Sequence, residues 1–212
     1  IPVVSNGYAK GEWKMTVNTS TFKECMKILS ENAFKLNRGD NIGVNNPDDP
    51  LIIGLNLSTN NNIFTLDIVN DVIIDYFRTR LMDNKYGFQQ QKIGDIPLKD
   101  MKGKLVILSS NGFEGSKLEE IINYSWDMDG LQRIHYSDLN EDLIEYNKKN
   151  ITIVVPNKEG DFYSENYNPV EAFEYGCQLV SMNYQNVDSG IDKYITKFKE
   201  KSVIIKPKIL RN

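Results

Sequence analysis

Few residues of this chain have the types and spacing that chemistry needs. His135 is the only histidine. It falls near the C-terminal end of a strand expected over Arg133–Tyr136, where a general acid or base could work. A single histidine has no partner for a two-group proton transfer, so it reads as structural or solvated. Asp127-Met128-Asp129-Gly130 opens like a calcium loop, but the later ligands and the bidentate Glu do not follow, so no metal is expected there. Asp48 and Asp49 precede an apolar run and read as a solvated turn. Lys102 and Lys104 read as surface charges at a strand start. Cys177 opens an apolar run and reads as buried filler, not as a nucleophile. Trp13 and Trp126, with the many tyrosines, are candidates for a contact surface.

Composition narrows the class. The chain has 212 residues, with 25 basic and 29 acidic side chains and a formal net charge of −4. No basic block suggests nucleic acid or a strong electrostatic grip on an anionic membrane. Cys25 and Cys177 are the only cysteines, so a disulfide scaffold is not expected and a reducing compartment is the default. No apolar run approaches the roughly 20 residues of a membrane span, and no signal peptide is expected. The opening Ile1-Pro2-Val3-Val4 reads as a fragment entering in mid-domain.

The elements that must hold any site alternate between short β-branched runs and amphipathic helices, as in βα units around a parallel sheet. Strands are expected near Val3, Leu51–Leu55, Leu105–Leu108, Arg133–Tyr136, Ile151–Val155 and Cys177–Tyr184, with a further β segment at Val203–Ile205. Leu51–Leu55 is expected to be covered on both faces. Capping boxes at Thr21-Phe22-Lys23-Glu24 and Ser116-Lys117-Leu118-Glu119 should each start a helix. Another helix is expected over Leu66–Leu81, and one is entered at Ser137 or Asp138. Asn168-Pro169 should cap a short helix.

The run from Asn166 to Gln185 reads Asn-Tyr-x-Pro, then Gly176-Cys177-Gln178, Val180, Asn183 and Gln185. It resembles the closing segment of the catalytic barrel of eukaryotic phosphoinositide-specific phospholipase C, written S-N-Y-x-P-x-x-x-W-x-x-G-C-Q-h-V-A-h-N-F-Q with h apolar. Ile1 to Gly7 is similar to that family's E-P-V-V-Y-H-G, and Pro50 to Asn56 to its P-V-I-L-S-L-E. Lys102-Gly103-Lys104-Leu105 and Ile204-Ile205-Lys206-Pro207 through Leu210-Arg211 match its K-G-K-I and V-L-K-P…L-R. The resemblance implies an α/β fold, a TIM (β/α)8-type barrel of the phospholipase C-like phosphodiesterases. Six strands are counted, so the first two βα units are expected upstream of Ile1. Residues 1–110 would be the C-terminal part of the X-box half barrel and residues 111–212 the Y-box half. The short segment between Ser110 and Leu118 stands where the family carries a long acidic linker.

The same resemblance assigns functional positions. The second catalytic His falls at Asn6, whose amide cannot relay a proton. A calcium-ligating carboxylate falls at Asn56. The two phosphate-binding lysines fall at Leu108 and Ser110, the substrate-binding Ser at Asp138 beside Ser137, and an Arg and a Tyr at Ile153 and Val155. Tyr163 lies in the following loop and does not match the family residue. With no catalytic, substrate-binding or metal position intact, the expected protein is phospholipase C-like and catalytically inactive. It would act as a binding or structural module in the cytoplasm, peripheral to a membrane or within a large intracellular assembly. Protein partners and a weak phosphoinositide contact are expected, with no cofactor, no nucleic acid and no transmembrane segment. The alternative is an active calcium-dependent phosphatidylinositol 4,5-bisphosphate phosphodiesterase with a rearranged site.

Overall fold

Apolar runs of five residues, bounded by polar turns, become strands here, and the longer ones pair in parallel. The computed structural model describes residues 2–3, 8–9, 12–13, 20–39, 43–93, 96–126, 130–157, 165–184 and 186–211. The chain divides into two compact units, Ile1–Trp126 and Asp127–Asn212. Asn6, Asp127, Met128, Asp129 and Tyr163 lie outside the described residues.

In the first unit Pro2–Val3 (β1) pairs antiparallel with Ser20–Thr21 (β4), and Tyr8–Ala9 (β2) with Glu12–Trp13 (β3). The strand expected near Val3 is thus a two-residue antiparallel contact, not a parallel barrel strand. Thr21, where β4 ends, caps Phe22–Asn32 (α1). Thr21 Oγ1 accepts from the Glu24 N–H at 3.2 Å, and the Glu24 carboxylate accepts from the Thr21 N–H at 2.8 Å. That capping box satisfies two backbone donors at once.

Leu51–Leu55 (β5), Leu105–Ser109 (β6) and Tyr124–Ser125 (β7) form a parallel sheet in that order. Leu51, Ile53, Leu55, Leu105 and Ile107 pack with Met26 of α1 and Leu66, Val69, Ile73 and Phe77 of Ile63–Phe77 (α2). α2 begins before the expected Leu66 because Asn62 Oδ1 accepts from the Thr65 N–H at 3.0 Å. It ends at Phe77, and Leu81 instead bridges to Leu105. All five residues of β6 are buried, whereas Ile52 of β5 is 42% exposed, so the expected cover on both faces fails for β5.

The expected helix after Ser116 is a 3-10 turn over Lys117–Glu120. Ser116 Oγ donates to the Phe113 carbonyl and accepts from Leu118 N–H, while Glu119 accepts from the Gly115 N–H. The side chains thus bind other groups than a reciprocal box requires. Asn123 then bonds into β6 through Ile107, which leaves room for one turn only. β7 itself is a strand the sequence reading did not anticipate.

In the second unit Leu131–His135 (β8), Ile151–Val155 (β9) and Leu179–Val180 (β10) form a parallel sheet with β9 central. Asp142–Lys149 (α3), Pro169–Glu174 (α4) and Ser189–Phe198 (α5) are its helices. Ile134, Val154 and Val180 pack with Leu143, Ala172 and Ile191 on one face. Tyr136 leaves the expected strand for a 3-10 turn, Tyr136–Asp138, and the helix starts only at Asp142, whose N–H bonds to Asn140 Oδ1 at 3.0 Å. Asn168 is the N-cap residue of α4 with Pro169 at its first turn, but the Asn168 side chain makes no cap bond.

The strand expected over Cys177–Tyr184 is only two residues long, because side chains take over from the ladder after Val180. Asn166 Oδ1 accepts from the Asn183 N–H at 2.6 Å, and its amide donates to the Asn183 and Asn186 carbonyls at 3.1 Å each. Tyr167 Oη donates to the Ser181 carbonyl at 2.7 Å. No strand forms at Val203–Ile205, where Ile205 is 71% exposed.

Asp188 ties this clamp to α5. Its carboxylate accepts from the N–H groups of Asn166, Gly190 and Ile191. Burial pulls the Asp188 carboxyl upward, but these hydrogen bonds outweigh it and hold it below its usual range. Gly190 fits under the clamp because it lacks a side chain: a Cβ there would lie 2.6 Å from the Tyr167 carbonyl oxygen and 2.9 Å from Asn166 Cβ. Gly190→Ala in a helix would ordinarily stabilise by about 1 kcal/mol. Here we expect overpacking to dominate and unfolding free energy to fall by about 1–3 kcal/mol in urea titration; an increase would refute the clamp.

Candidate functional site

Register decides which side chains share a face. Opposed residues in adjacent strands lie on the same side of the sheet, and neighbours along a strand alternate. In the first unit Gly54, Leu108 and Tyr124 are opposed, on the face away from the α1 and α2 packing. The next row is Asn56, Ser110 and Trp126, continued by hydrogen bonds from Ser110 N to the Leu55 carbonyl and Trp126 N to the Ser109 carbonyl. These are C-terminal strand ends, where parallel α/β sheets place their sites.

The chemistry of this row is neutral. Asn56 is exposed, and Leu108 is 3% exposed within the sheet. Ser110 Oγ accepts from the Leu57 N–H at 2.8 Å, so it serves the backbone. Ser125 Oγ donates to Asn111 Oδ1 at 2.6 Å. The Trp126 indole lies against Gly54, 3.7 Å from where a Cβ would stand. The ring thus stands at ordinary van der Waals distance from a methyl group placed there.

In the second unit Ile153 and Val155 lie on the face opposite Val154, at 8% and 5% exposure. Asp138 sits in the turn after β8. Its carboxylate accepts from the His135 N–H at 3.2 Å and from Ser137 Oγ at 3.3 Å. His135 Nδ1 is 3.2 Å from the Pro156 carbonyl oxygen. A carbonyl can only accept, so Nδ1 carries the proton in this contact. Register opposes Arg133 to Ile153 and His135 to Val155. The sequence reading weighed His135 and passed over Arg133; the Arg-x-His alternation within a strand was the available signal.

Residues 104–209 match the family described as Phosphatidylinositol-specific phospholipase C, Y domain. The chain belongs to this family. The crystal structure of L. pealei PLC21 is similar at a TM-score of 0.69 and 18% identity, over 92% of this chain and 30% of that one. The crystal structure of S. officinalis PLC21 is similar at 0.69 and 17% identity, again over 92% and 30%. Both likenesses concern the fold, an α/β arrangement with parallel strands, and this chain spans less than a third of either. No curated protein matches the sequence. Among the described residues no helix is long and apolar enough to cross a membrane.

The phospholipase C resemblance implies calcium, and the donor set does not fit it. Among the described residues no three of His, Cys, Asp and Glu come together to hold a metal ion. Asn56 contributes a neutral amide where a hard dication calls for carboxylate. A shallow groove lined by Val170, Asp192, Lys193, Thr196 and Lys197 lies on α4 and α5, and no residue assigned from sequence lines it.

Cys177 is placed as filler. Asn147 Nδ2 donates to the Tyr175 carbonyl at 2.9 Å and to Cys177 Sγ at 3.5 Å, and Thr152 Oγ1 donates to Asn147 Oδ1 at 2.6 Å. Burial pushes the Cys177 thiol up to about 11, against smaller opposing effects of Asn147 and Lys206. With the thiolate so disfavoured, Cys177 should alkylate with iodoacetamide at pH 8 roughly 100-fold more slowly than a free thiol. Peptide mass spectrometry should find native-state labelling at half-buried Cys25 and labelling at Cys177 only after unfolding. Equal labelling of both in the folded protein would contradict this placement.

Proposed function

We propose that this chain is a degenerate phospholipase C-like module that binds without hydrolysing. One observation carries the reading: the positions the resemblance assigns to substrate phosphate hold groups that cannot grip it. Leu108, Ile153 and Val155 are apolar and buried, Ser110 is engaged by backbone, and Asp138 is anionic. A phosphoryl group needs cations or aligned donors at the points where its charge develops. Asn6 puts an amide that cannot relay a proton at the position the resemblance assigns to a catalytic His, and Asn56 puts an uncharged ligand at the position of a calcium-binding carboxylate.

In this reading the parallel strands are those of a TIM (β/α)8-type barrel of the phospholipase C-like phosphodiesterases. The chain would split near residues 110 and 111 into X-type and Y-type halves. Protein partners would use the module in the cytoplasm, either at the periphery of a membrane or within a large intracellular assembly. It would need no cofactor.

The test is hydrolysis of phosphatidylinositol 4,5-bisphosphate in mixed vesicles by the full-length protein. Release of inositol phosphate should stay at the no-enzyme level with or without calcium. Calcium-dependent release that disappears on mutating this module would overturn the proposal and establish the active alternative.

A further inference from the structure

Asn111-Gly112 lies just beyond the end of β6, where the chain leaves the sheet for the 3-10 turn over Lys117–Glu120. Asparagine side chains are chemically labile. The backbone nitrogen of the next residue can close a five-membered ring on the side-chain amide carbon, an intramolecular attack that needs no diffusion. Glycine in that next position leaves the nitrogen unhindered. Here the position admits little else: Gly112 has φ +92°, and a Cβ on it would lie 2.5 Å from Asn61 Oδ1. Asn111 itself is exposed, so water reaches it. The other Asn-Gly pair of the chain, Asn6-Gly7, lies outside the described residues.

Two side chains touch the atoms that would react. Ser125 Oγ donates to Asn111 Oδ1 at 2.6 Å. Ser125 is 1% exposed and ends β7, paired with Ser109 in the sheet, so its hydroxyl is held by a rigid frame. Negative charge gathers on Oδ1 when the amide carbon becomes tetrahedral, and a fixed donor at that oxygen stabilises it. On the other side the Glu114 carboxylate accepts from the Gly112 N–H at 2.9 Å. That is the proton the nitrogen must lose as it attacks, and a carboxylate hydrogen-bonded to it is placed as a general base. Phe113, between Gly112 and Glu114, anchors the loop. It is fully buried, meets Phe88 edge to face at 4.7 Å between ring centres, and accepts from Ser116 Oγ through its carbonyl.

We propose that Asn111-Gly112 is a self-modifying site, at which Ser125 and Glu114 promote conversion of the asparagine into aspartate and isoaspartate. The Gly112 nitrogen bonds to Asn111 Cγ while its proton passes to the Glu114 carboxylate. The Cγ–Nδ2 bond then breaks, and the nitrogen leaves as ammonia with that proton. Water opens the resulting cyclic imide at either carbonyl. Opening at Cγ gives aspartate, and opening at the main-chain carbonyl gives isoaspartate, with Cβ and Cγ drawn into the backbone. No oxidant or reductant takes part. Either product adds a negative charge next to Ser110, and isoaspartate also lengthens the main chain between β6 and β7. The conversion is independent of whether the module hydrolyses lipid.

The whole chain is incubated at neutral pH, folded in buffer and unfolded in denaturant, and digested at intervals. Peptide mass spectrometry follows the amide-to-acid change at Asn111, and methylation by an isoaspartyl methyltransferase counts the isoaspartate. Asn111 is expected to convert faster in the folded than in the unfolded chain. Glu114→Gln keeps an acceptor for the Gly112 N–H but removes the base, and should slow the folded protein by about tenfold or more. Ser125→Ala should do the same by removing the donor to Oδ1. Neither variant should change the rate in the unfolded chain. Circular dichroism checks folding; should buried Ser125→Ala fail to fold, exposed Glu114→Gln decides alone. Slower conversion in the folded protein than in the unfolded chain, or an unchanged rate in folded Glu114→Gln, overturns the proposal and makes the loop a protector of its amide.

Discussion

Parallel strands cannot be joined by a tight turn, so the chain has to travel back along the sheet before it can pair again. Whatever it travels through becomes the cover of that sheet. In the first unit α2 returns from β5 and buries Leu66, Val69, Ile73 and Phe77 against it. Between β6 and β7 the return is a single 3-10 turn, with Phe113, Leu118 and Ile122 filling the layer a helix would have made. In the second unit α3 and α4 do this work over Val154, the fully buried centre of the sheet. Each crossover covers one side of its sheet; on the other side Leu108, Tyr124, Ile153 and Val155 are buried as well, and the exposed polar residues begin at the strand ends, as at Asn56.

Burying polar groups in such layers demands complete hydrogen bonding. Asn147 is 1% exposed, and its side chain meets Tyr175, Cys177 and Thr152. Gln178 links the backbones of Thr152, Asn147 and Asn150, and half-buried Lys206 closes the set at the Asn147 and Gly176 carbonyls. Burial lowers the Lys206 ammonium from its ordinary range, with Cys177 acting the other way. At the other end of the sheet Tyr136 donates to Glu171 and stacks on Tyr167 at 4.4 Å between ring centres. The Glu171 bond, with burial, pushes the Tyr136 hydroxyl up to about 12. These contacts explain the Gly-Cys-Gln and Asn-Tyr residues of the family resemblance in packing terms alone.

Local patterns were legible in the sequence, and remote substitutions for them were not. The Thr21 capping box and the runs Leu51–Leu55 and Ile151–Val155 depend on residues a few positions apart, and they formed as read. The long strand after Cys177 failed because its competitor, Asn166, comes from the other side of a helix. Ser116 failed as a capping box because its hydroxyl found Phe113 instead. β7 was hidden because Ile121-Ile122 before Tyr124 continues the apolar pattern of the preceding turn. The site positions came from resemblance alone; the structure leaves Asn56 exposed and Ser110 half-buried, and it buries Leu108, Ile153 and Val155 on the faces away from the helices. What no single strand's sequence contains is register, and only register sets Arg133 beside Ile153.

The Asn166 side chain holds three peptide groups that a β-ladder would have held one residue at a time. A ladder frays progressively, each lost bond exposing the next. Replacing this one amide would remove three backbone contacts of the segment after β10 at once. The Asn166 N–H would stay on the Asp188 carboxylate, so the side chain and the backbone of one residue hold that segment and the start of α5 by separate bonds.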